Sequence, residues 1–223
     1  MKRCIIGGSP RINGRSAQLA DALFEACMED CPEDEVSILS VASLDIKPCI
    51  ACDVCKHKES EGITLPEEGD PLYPCEVVTE STAGYHRCCF DDDMAIVRKH
   101  IDAADELIVV SPVFFSSVPA QLKALLDRLQ PYFWSNLRKK SARPLVVHVV
   151  GEGGDPFGFD PLLGALQSAF YVAGFKMDQV LDWVGCIDKE GEILEDARPY
   201  TFSACKSKGH QGRTRKLQFD RQS

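Results

Sequence analysis

Short apolar runs alternate with helix-patterned stretches along this chain, and that alternation limits its fold more than any other feature. RCIIG precedes SAQLADALFEACMED; EVSIL follows; ELIVVS precedes PAQLKALLDRLQPYF; PLVVHVV precedes PLLGALQSAFYVAG; FKMDQVLDWVG closes the series. Strand followed by amphipathic helix, repeated, is the pattern of a parallel sheet covered on both faces. The runs are nearly continuous in Ile, Val and Leu, as strands buried on both sides require, and Leu19, Ala22, Leu23 and Ala26 recur at helical spacing. The expected fold class is therefore α/β: a doubly wound, parallel, five-stranded sheet with helices on both faces, spanning residues 1–200.

The alternation stops between about residues 45 and 90, a stretch rich in Glu, Asp, Pro and Gly without a sustained period. A structureless loop of that length inside a compact domain is uncommon, and it is usually functional or held by something other than a core. This insertion carries CIACDVC, Cys49 to Cys55, three thiols two residues apart in a chain of eleven cysteines. An odd number of cysteines, clustered in this way, points to metal binding or catalysis in a reducing compartment rather than to a disulfide scaffold. The opening MKRCIIGGSP has no long apolar stretch or small-residue cleavage site, and no run approaches the roughly 18 residues of a membrane span. The expected location is the cytoplasm, with no membrane partner.

A formal net charge of −9 disfavours nucleic acid, because neutralising phosphates takes a dense basic face. The basic C-terminal tail, residues 201–223, is the exception, and it reads as a solvated or partly disordered terminus. Cys4, Cys27, Cys31, Cys186 and Cys205 stand singly and read as small hydrophobes.

The first strand runs into GGSPRINGRS, Gly7 to Ser16, and then into a helix. Gly14 lets the backbone come close to a ligand, Ser9, Asn13 and Ser16 bring short polar groups to the helix N-terminus, and Arg11 and Arg15 add charge. A helix N-terminus so equipped binds phosphate. A Ser or Asn cap with no ligand fits the same residues. The turn matches neither GxGxxG nor GxxxxGK[ST], so a single phosphate is expected rather than a dinucleotide or the phosphates of a P-loop.

In an open parallel sheet, ligands bind beyond the carboxyl ends of the strands where strand order reverses. The loop Pro112, Val113, Phe114, Phe115 and Ser116, after the third strand, forms the second wall of that crevice. Its two rings suit either a planar heterocycle or the core. A third loop, GEGGDPFGFD, follows the fourth strand, where Gly151 and Gly153 permit close backbone approach. Lys123 and Arg128 lie on an expected helix and read as salt-bridged and solvent-facing, while His86, His100 and His148 read as surface or packing residues.

GGSPRINGRS, CIACDVC, CFDDDM (Cys89 to Met94) and SPVFFSSVPAQLKALLDR, in that order, resemble the NADPH-dependent FMN reductase superfamily of flavodoxin-like proteins, and within it the iron–sulfur flavoproteins. The resemblance covers roughly the first 130 residues. It implies FMN, with its phosphate on the Ser9 to Ser16 turn and its ring and ribityl chain against Pro112 to Ser116 and the Gly151 loop. It further implies NAD(P)H as reductant, or a ferredoxin-like donor, a small-molecule acceptor such as a quinone, nitro or azo compound, and a homo-oligomer.

The same resemblance implies a [4Fe–4S] cluster on Cys49, Cys52, Cys55 and Cys89, at the mouth of the flavin crevice. A gap of 33 residues, Lys56 to Cys88, stands where the family pattern is short, so Cys75 and Cys88 are also candidate fourth ligands. Zinc and unligated thiols remain the alternatives. The flavin would carry the redox chemistry, so no general base is nominated. A non-enzymatic flavodoxin-like electron carrier, and a metal-stabilised interaction platform, are the competing functional readings.

Overall fold

A computed structural model describes residues 1–56, 88–134 and 142–202. Cys75, His86, Cys205, the middle of the cysteine-rich insertion and the basic tail beyond residue 202 lie outside the described residues.

The elements run β1 (Lys2–Gly7), α1 (Arg15–Asp30), β2 (Glu35–Ser40), one 3-10 turn (Val54–Lys56), α2 (Met94–Ala103) and β3 (Glu106–Pro112). They continue with α3 (Ala120–Asp127), α4 (Gln130–Trp134), β4 (Arg143–Val150), α5 (Asp160–Val172), β5 (Phe175–Asp182) and β6 (Arg198–Pro199). The strand order is β2-β1-β3-β4-β5-β6. The first five strands are parallel, as expected, and the two-residue β6 adds an antiparallel edge on β5 that the sequence reading did not contain.

Register explains the burial on both faces. Ile5 pairs with Ile38 on one side and Ile108 on the other, and Val109 pairs with Val147. Because side chains alternate along a strand, Cys4, Ile6, Leu107, Val109, Val147 and Val149 point to one face, where α2, α3 and α5 cover them with Met94, Val97, Ile101, Leu122, Leu125, Leu166 and Phe170. Ile5, Ile108 and Val110 point to the other face, against Leu19 and Ala20 of α1 and Ile187 from the segment after β5. Truncating one of these fully buried Leu or Phe side chains to Ala should cost about 2–5 kcal/mol.

Two helices depart from the sequence reading. Helix α2 was not anticipated, although Met94, Val97 and Ile101 sit at helical spacing and are buried. The single helix expected over PAQLKALLDRLQPYF is two, because α3 closes at Arg128, whose amide donates to the carbonyls of Ala124 and Leu125. Pro131, in the first turn of α4, has no N–H to extend that ladder. No described helix is long and apolar enough to cross a membrane.

Strand order reverses between β1 and β3, since β1 leads outward to β2 and the chain returns to the opposite side as β3. The loops after β1, β3 and β4 therefore meet at one sheet end.

Candidate functional site

Those three loops enclose a cleft of about 470 Å³. Arg11, Arg15 and Ser16 come from the first, Pro112, Val113 and Phe114 from the second, and Gly151, Glu152, Gly153 and Asp155 from the third.

The first turn is built by packing as much as by its polar groups. A Cβ on Gly8 would stand 2.6 Å from Leu122 Cδ2 and 3.2 Å from the Val110 carbonyl, so only glycine lets the turn lie flat on α3 and β3. The Ser9 hydroxyl donates to the Arg11 carbonyl at 2.8 Å and accepts from the Arg11 amide at 3.1 Å. It thus closes the turn on itself rather than facing the cleft. Helix α1 starts after Gly14 with no side-chain cap, which leaves first-turn N–H groups available to an anion. Ser16 is buried at that N-terminus and lines the cleft, and the Arg15 guanidinium pairs with Glu152 across it at 2.9 Å. Asn13 and Gly14 do not line it: the Asn13 carbonyl accepts from Gln18 Nε2 at 3.3 Å, and Gly14 passes Ser9 closely enough that a Cβ would sit 3.2 Å from its hydroxyl.

The second loop ends in a tight reversal. Phe114 and Ser117 exchange backbone hydrogen bonds of 2.9 and 3.0 Å, and the two residues between them hold φ of 51° at Phe115 and 61° at Ser116. Positive φ at both central positions is the two-residue hairpin turn usually reserved for Gly and Asn, so an aromatic there is strained. Its consequence is exposure: the Phe115 ring is 99% accessible at the cleft edge while Phe114 lines the wall. Ser116 donates to Asp155 Oδ2 at 3.1 Å, and its carbonyl accepts the Leu162 amide at 3.0 Å, so the second and third loops and α5 are tied together.

Asp182, Val184 and Arg198 complete the wall and were not anticipated. Asp182 ends β5, Val184 follows it and Arg198 opens β6, and Arg198 Nη2 donates to the Val184 carbonyl at 2.5 Å. Three arginines and three carboxylates thus face a cleft with an aromatic and glycine-rich rim, which suits a phosphate-bearing planar cofactor.

A second cavity, of about 400 Å³, is lined by Cys49, Cys52, Cys55 and Cys88 together with Arg128 and Trp134. Left-handed residues at Ala51 (φ 55°) and Asp53 (φ 62°) coil the CxxCxxC loop, and Val54, buried in the 3-10 turn, anchors it. The Asp-Asp-Met motif grips the chain just upstream. Asp93 Oδ2 accepts the Asp45 amide at 2.8 Å, and Asp92 Oδ2 accepts the Lys47 amide at 3.0 Å. Arg128 then clamps Asp92 with bonds of 2.6 and 3.0 Å, and its Nη1 also donates to the Lys47 carbonyl at 2.8 Å. Burial pushes the Asp92 carboxyl up, yet the guanidinium and the amides outweigh it and hold the group below the usual carboxylate range.

Arg128 is 2% exposed, and so the expectation of a solvent-facing residue is overturned; Lys123 does pair with Asp127 in solvent, at 2.5 Å. Sequence spacing along α3 cannot reveal a partner 36 residues upstream. His148 is buried, its Nδ1 accepts from Trp183 Nε1 at 2.9 Å, and burial pulls its pKa down to about 4. Cys4 and Cys186 are buried in the fold, as expected.

Cys89 is buried behind the cavity, its sulfur 3.3 Å from that of Cys52. Two thiolates on one tetrahedral zinc, each at about 2.3 Å, stand about 3.8 Å apart, so this pair is closer than shared ligation leaves it. Among the described residues no three Cys, His, Asp or Glu groups converge tightly enough to hold a metal ion, and burial together with the neighbouring thiols pushes Cys55 up to about 11. The donor set is nonetheless that of a soft metal centre: four thiols on one wall. Behind them lie two buried guanidinium groups: Arg128 engages the Cys88 thiol, and Arg98 Nη1 is buried without a hydrogen-bond partner among the described residues, an arrangement that costs about 1–3 kcal/mol unless an anion completes it. Thiolates binding a cluster fit that demand. The two cavities share no lining residue, so the expected position at the mouth of the crevice gains no support from their linings.

The chain is 32% identical over 155 residues, 69% of its length, to an iron–sulfur flavoprotein of Methanocaldococcus jannaschii. It spans about half to two-thirds of the length of the curated relatives it matches. Among solved structures, an azoreductase from Bacillus anthracis superposes with a TM-score of 0.57 at 15% identity, covering 83% of this chain and 87% of that one. An FMN-dependent NADH-azoreductase of Bacillus anthracis, solved in complex with FMN, superposes with a TM-score of 0.53 at 13% identity over 82% of this chain and 87% of that one. These two establish the flavodoxin-like architecture. The family described as NADPH-dependent FMN reductase matches residues 1–184, beyond the four motifs and through β5, and the chain belongs to that family.

Proposed function

We propose that this chain is an FMN-dependent oxidoreductase that takes electrons from NAD(P)H or a ferredoxin-like donor and passes them to a small acceptor, a quinone, nitro or azo compound. The observation that carries the reading is the cleft itself. Three loops at the carboxyl ends of β1, β3 and β4 bring an uncapped helix N-terminus and two arginines to one side of a glycine- and phenylalanine-rimmed slot. The family to which the chain belongs, and the FMN in the azoreductase complex, support the choice of cofactor. FMN bound there supplies hydride and one-electron chemistry.

The chain's own residues bind and orient it. Ser16 and the first-turn amides of α1 take the phosphate, with Arg11 and Arg15 supplying charge. Ser9 shapes the turn, and Pro112 to Phe114 with Gly151 and Gly153 flank the ring. Phe115 and Phe157, 99% and 80% exposed at the rim, suit a second copy of the chain that closes the cleft, which agrees with a homo-oligomer.

For the cysteines we propose a [4Fe–4S] cluster on Cys49, Cys52, Cys55 and a fourth thiolate. The shared lining of one cavity favours Cys88 over Cys89 as that fourth ligand, and the buried guanidinium groups beside it favour an anionic occupant over neutral thiols. A cluster held there would supply one-electron transfer, and Asp92 and Asp93 hold the loop that would ligate it.

Steady-state NAD(P)H oxidation with a quinone or azo acceptor tests the enzyme reading. Turnover by the purified chain supports it. Oxidation that requires an added partner reductase favours the electron carrier instead.

A further inference from the structure

We propose that Arg128 is a positioning residue for the thiolate-bound centre: its buried guanidinium, fixed by Asp92, sets the reduction potential of the cluster. This inference rests on the cluster reading above and adds what nothing in the four cysteines specifies.

Three observations converge on it. Arg128 lines the thiol cavity beside Cys49, Cys52, Cys55 and Cys88, yet it is 2% exposed, so water does not screen its charge there. Its two Nη atoms are committed to Asp92 and to the Lys47 carbonyl, and its face lies 4.8 Å over the Phe90 ring, which prevents the fork from swinging away. Its Nε is the remaining buried donor, and the guanidinium already engages the Cys88 thiol of the cavity. A guanidinium anchored at one end on Asp92 and facing a cavity thiol at the other is a fixed dipole and charge presented to whatever anion fills the site. Behind it Arg98, 8% exposed, adds an unsatisfied buried donor, Nη1, within electrostatic reach of both Cys88 and Arg128. Asp92 is the one described carboxylate that pairs with Arg128.

A thiolate-ligated iron–sulfur centre carries net negative charge in either oxidation state, and more of it when reduced. Arg128 lines the cavity and Asp92 does not, so the ion pair presents its positive end to the site, stabilises the reduced state more than the oxidised one and raises the potential. Arginine suits this role better than lysine because its fork can bind a carboxylate with two nitrogens and still offer the third.

The test uses the whole chain, purified without oxygen and reconstituted with iron and sulfide. Neutralising the pair together, Arg128→Gln with Asp92→Asn, avoids leaving either charge buried alone. FMN content reports whether the variant is folded, iron content reports the cluster, and an EPR-monitored redox titration reports its potential. At a fixed applied potential the reduced-to-oxidised ratio should fall at least tenfold in the double variant, about 59 mV for a one-electron couple, whereas Arg128→Lys should shift it less. Loss of iron with FMN retained would show that the pair holds the ligating loop rather than setting the potential, and it overturns the assignment. As a second measurement that needs no variant, the reduced parent protein labelled with [15N]arginine should show a weak nitrogen coupling in pulsed EPR. An unchanged potential in a double variant holding both iron and FMN, or absence of that coupling in a fully loaded parent, overturns the assignment of Arg128 alone. A parent chain that binds no iron after reconstitution overturns the cluster reading and this inference with it.

Discussion

Replacing Arg15 with Gln should weaken FMN and leave riboflavin untouched. Arg15 starts α1 beside Ser16, and its guanidinium spans the cleft to Glu152 at 2.9 Å. A charge-assisted bond to a phosphate is worth about 1.5–3 kcal/mol. Two deductions apply: the Arg15 side chain is 22% exposed, and binding the phosphate competes with Glu152, itself 79% exposed, in a surface pair worth about 0–1 kcal/mol. A net loss of about 1.5–2 kcal/mol remains, a ten- to thirtyfold rise in Kd at about 1.4 kcal/mol per tenfold. Glu152→Gln releases Arg15 from its competitor and should tighten FMN by up to about fivefold. Fluorescence-quenching titrations of the flavin-free protein, with FMN and riboflavin in parallel, read both changes. Equal weakening of both flavins by Arg15→Gln would show that the residue holds the fold or the ring rather than the phosphate, and the placement of the phosphate on this turn would fall.

Asp92→Ala strands the Arg128 charge and removes the acceptor for the Lys47 and Met94 amides, so it should cost about 3–5 kcal/mol in urea unfolding. The paired replacement Asp92→Leu with Arg128→Met should cost distinctly less, and equal losses would mean that the pair is not what the site pays for. His148 titrates near 4 in the fold against about 6.5 in the unfolded chain, so its contribution is complete above about pH 6.5 and is lost as pH falls towards 4. That amounts to about 3 kcal/mol, and His148→Gln, which can still accept from Trp183, should flatten the dependence in denaturation midpoints taken across that window. Gly8→Ala puts a methyl carbon 2.6 Å from Leu122 Cδ2 and should destabilise by about 1–3 kcal/mol, with weaker FMN binding; a neutral effect in thermal melts would show that the turn has slack.

The sheet was legible because burial on both faces leaves an unbroken apolar signature in each strand, and β1, β3 and β4 show it most strongly. The crevice followed from topology, since any chain wound as β2-β1-β3 brings the loops after β1 and β3 together. What escaped was whatever depends on the particular hydrogen-bond partner a side chain takes, near or distant in sequence. Arg128 resembles any charged residue at a helix end until Asp92 meets it, and Ser9 resembles a free hydroxyl until its own turn claims both sides of it. Arg198 reaches the cleft from a two-residue strand that leaves no periodic trace, and pairing with it is what marks Asp182, at the end of β5, as part of the same wall. Helix α2 is visible in the sequence, because Met94, Val97 and Ile101 mark one face, but ten residues directly after an irregular insertion give that period little room to show.

The flavin content of the chain tests the account most directly. Protein purified without oxygen, supplied with excess FMN and desalted, should retain one FMN per chain, quantified by extraction, and NADPH or NADH should bleach it. A folded chain that retains no flavin under those conditions would contradict the reading of the cleft at the carboxyl ends of β1, β3 and β4.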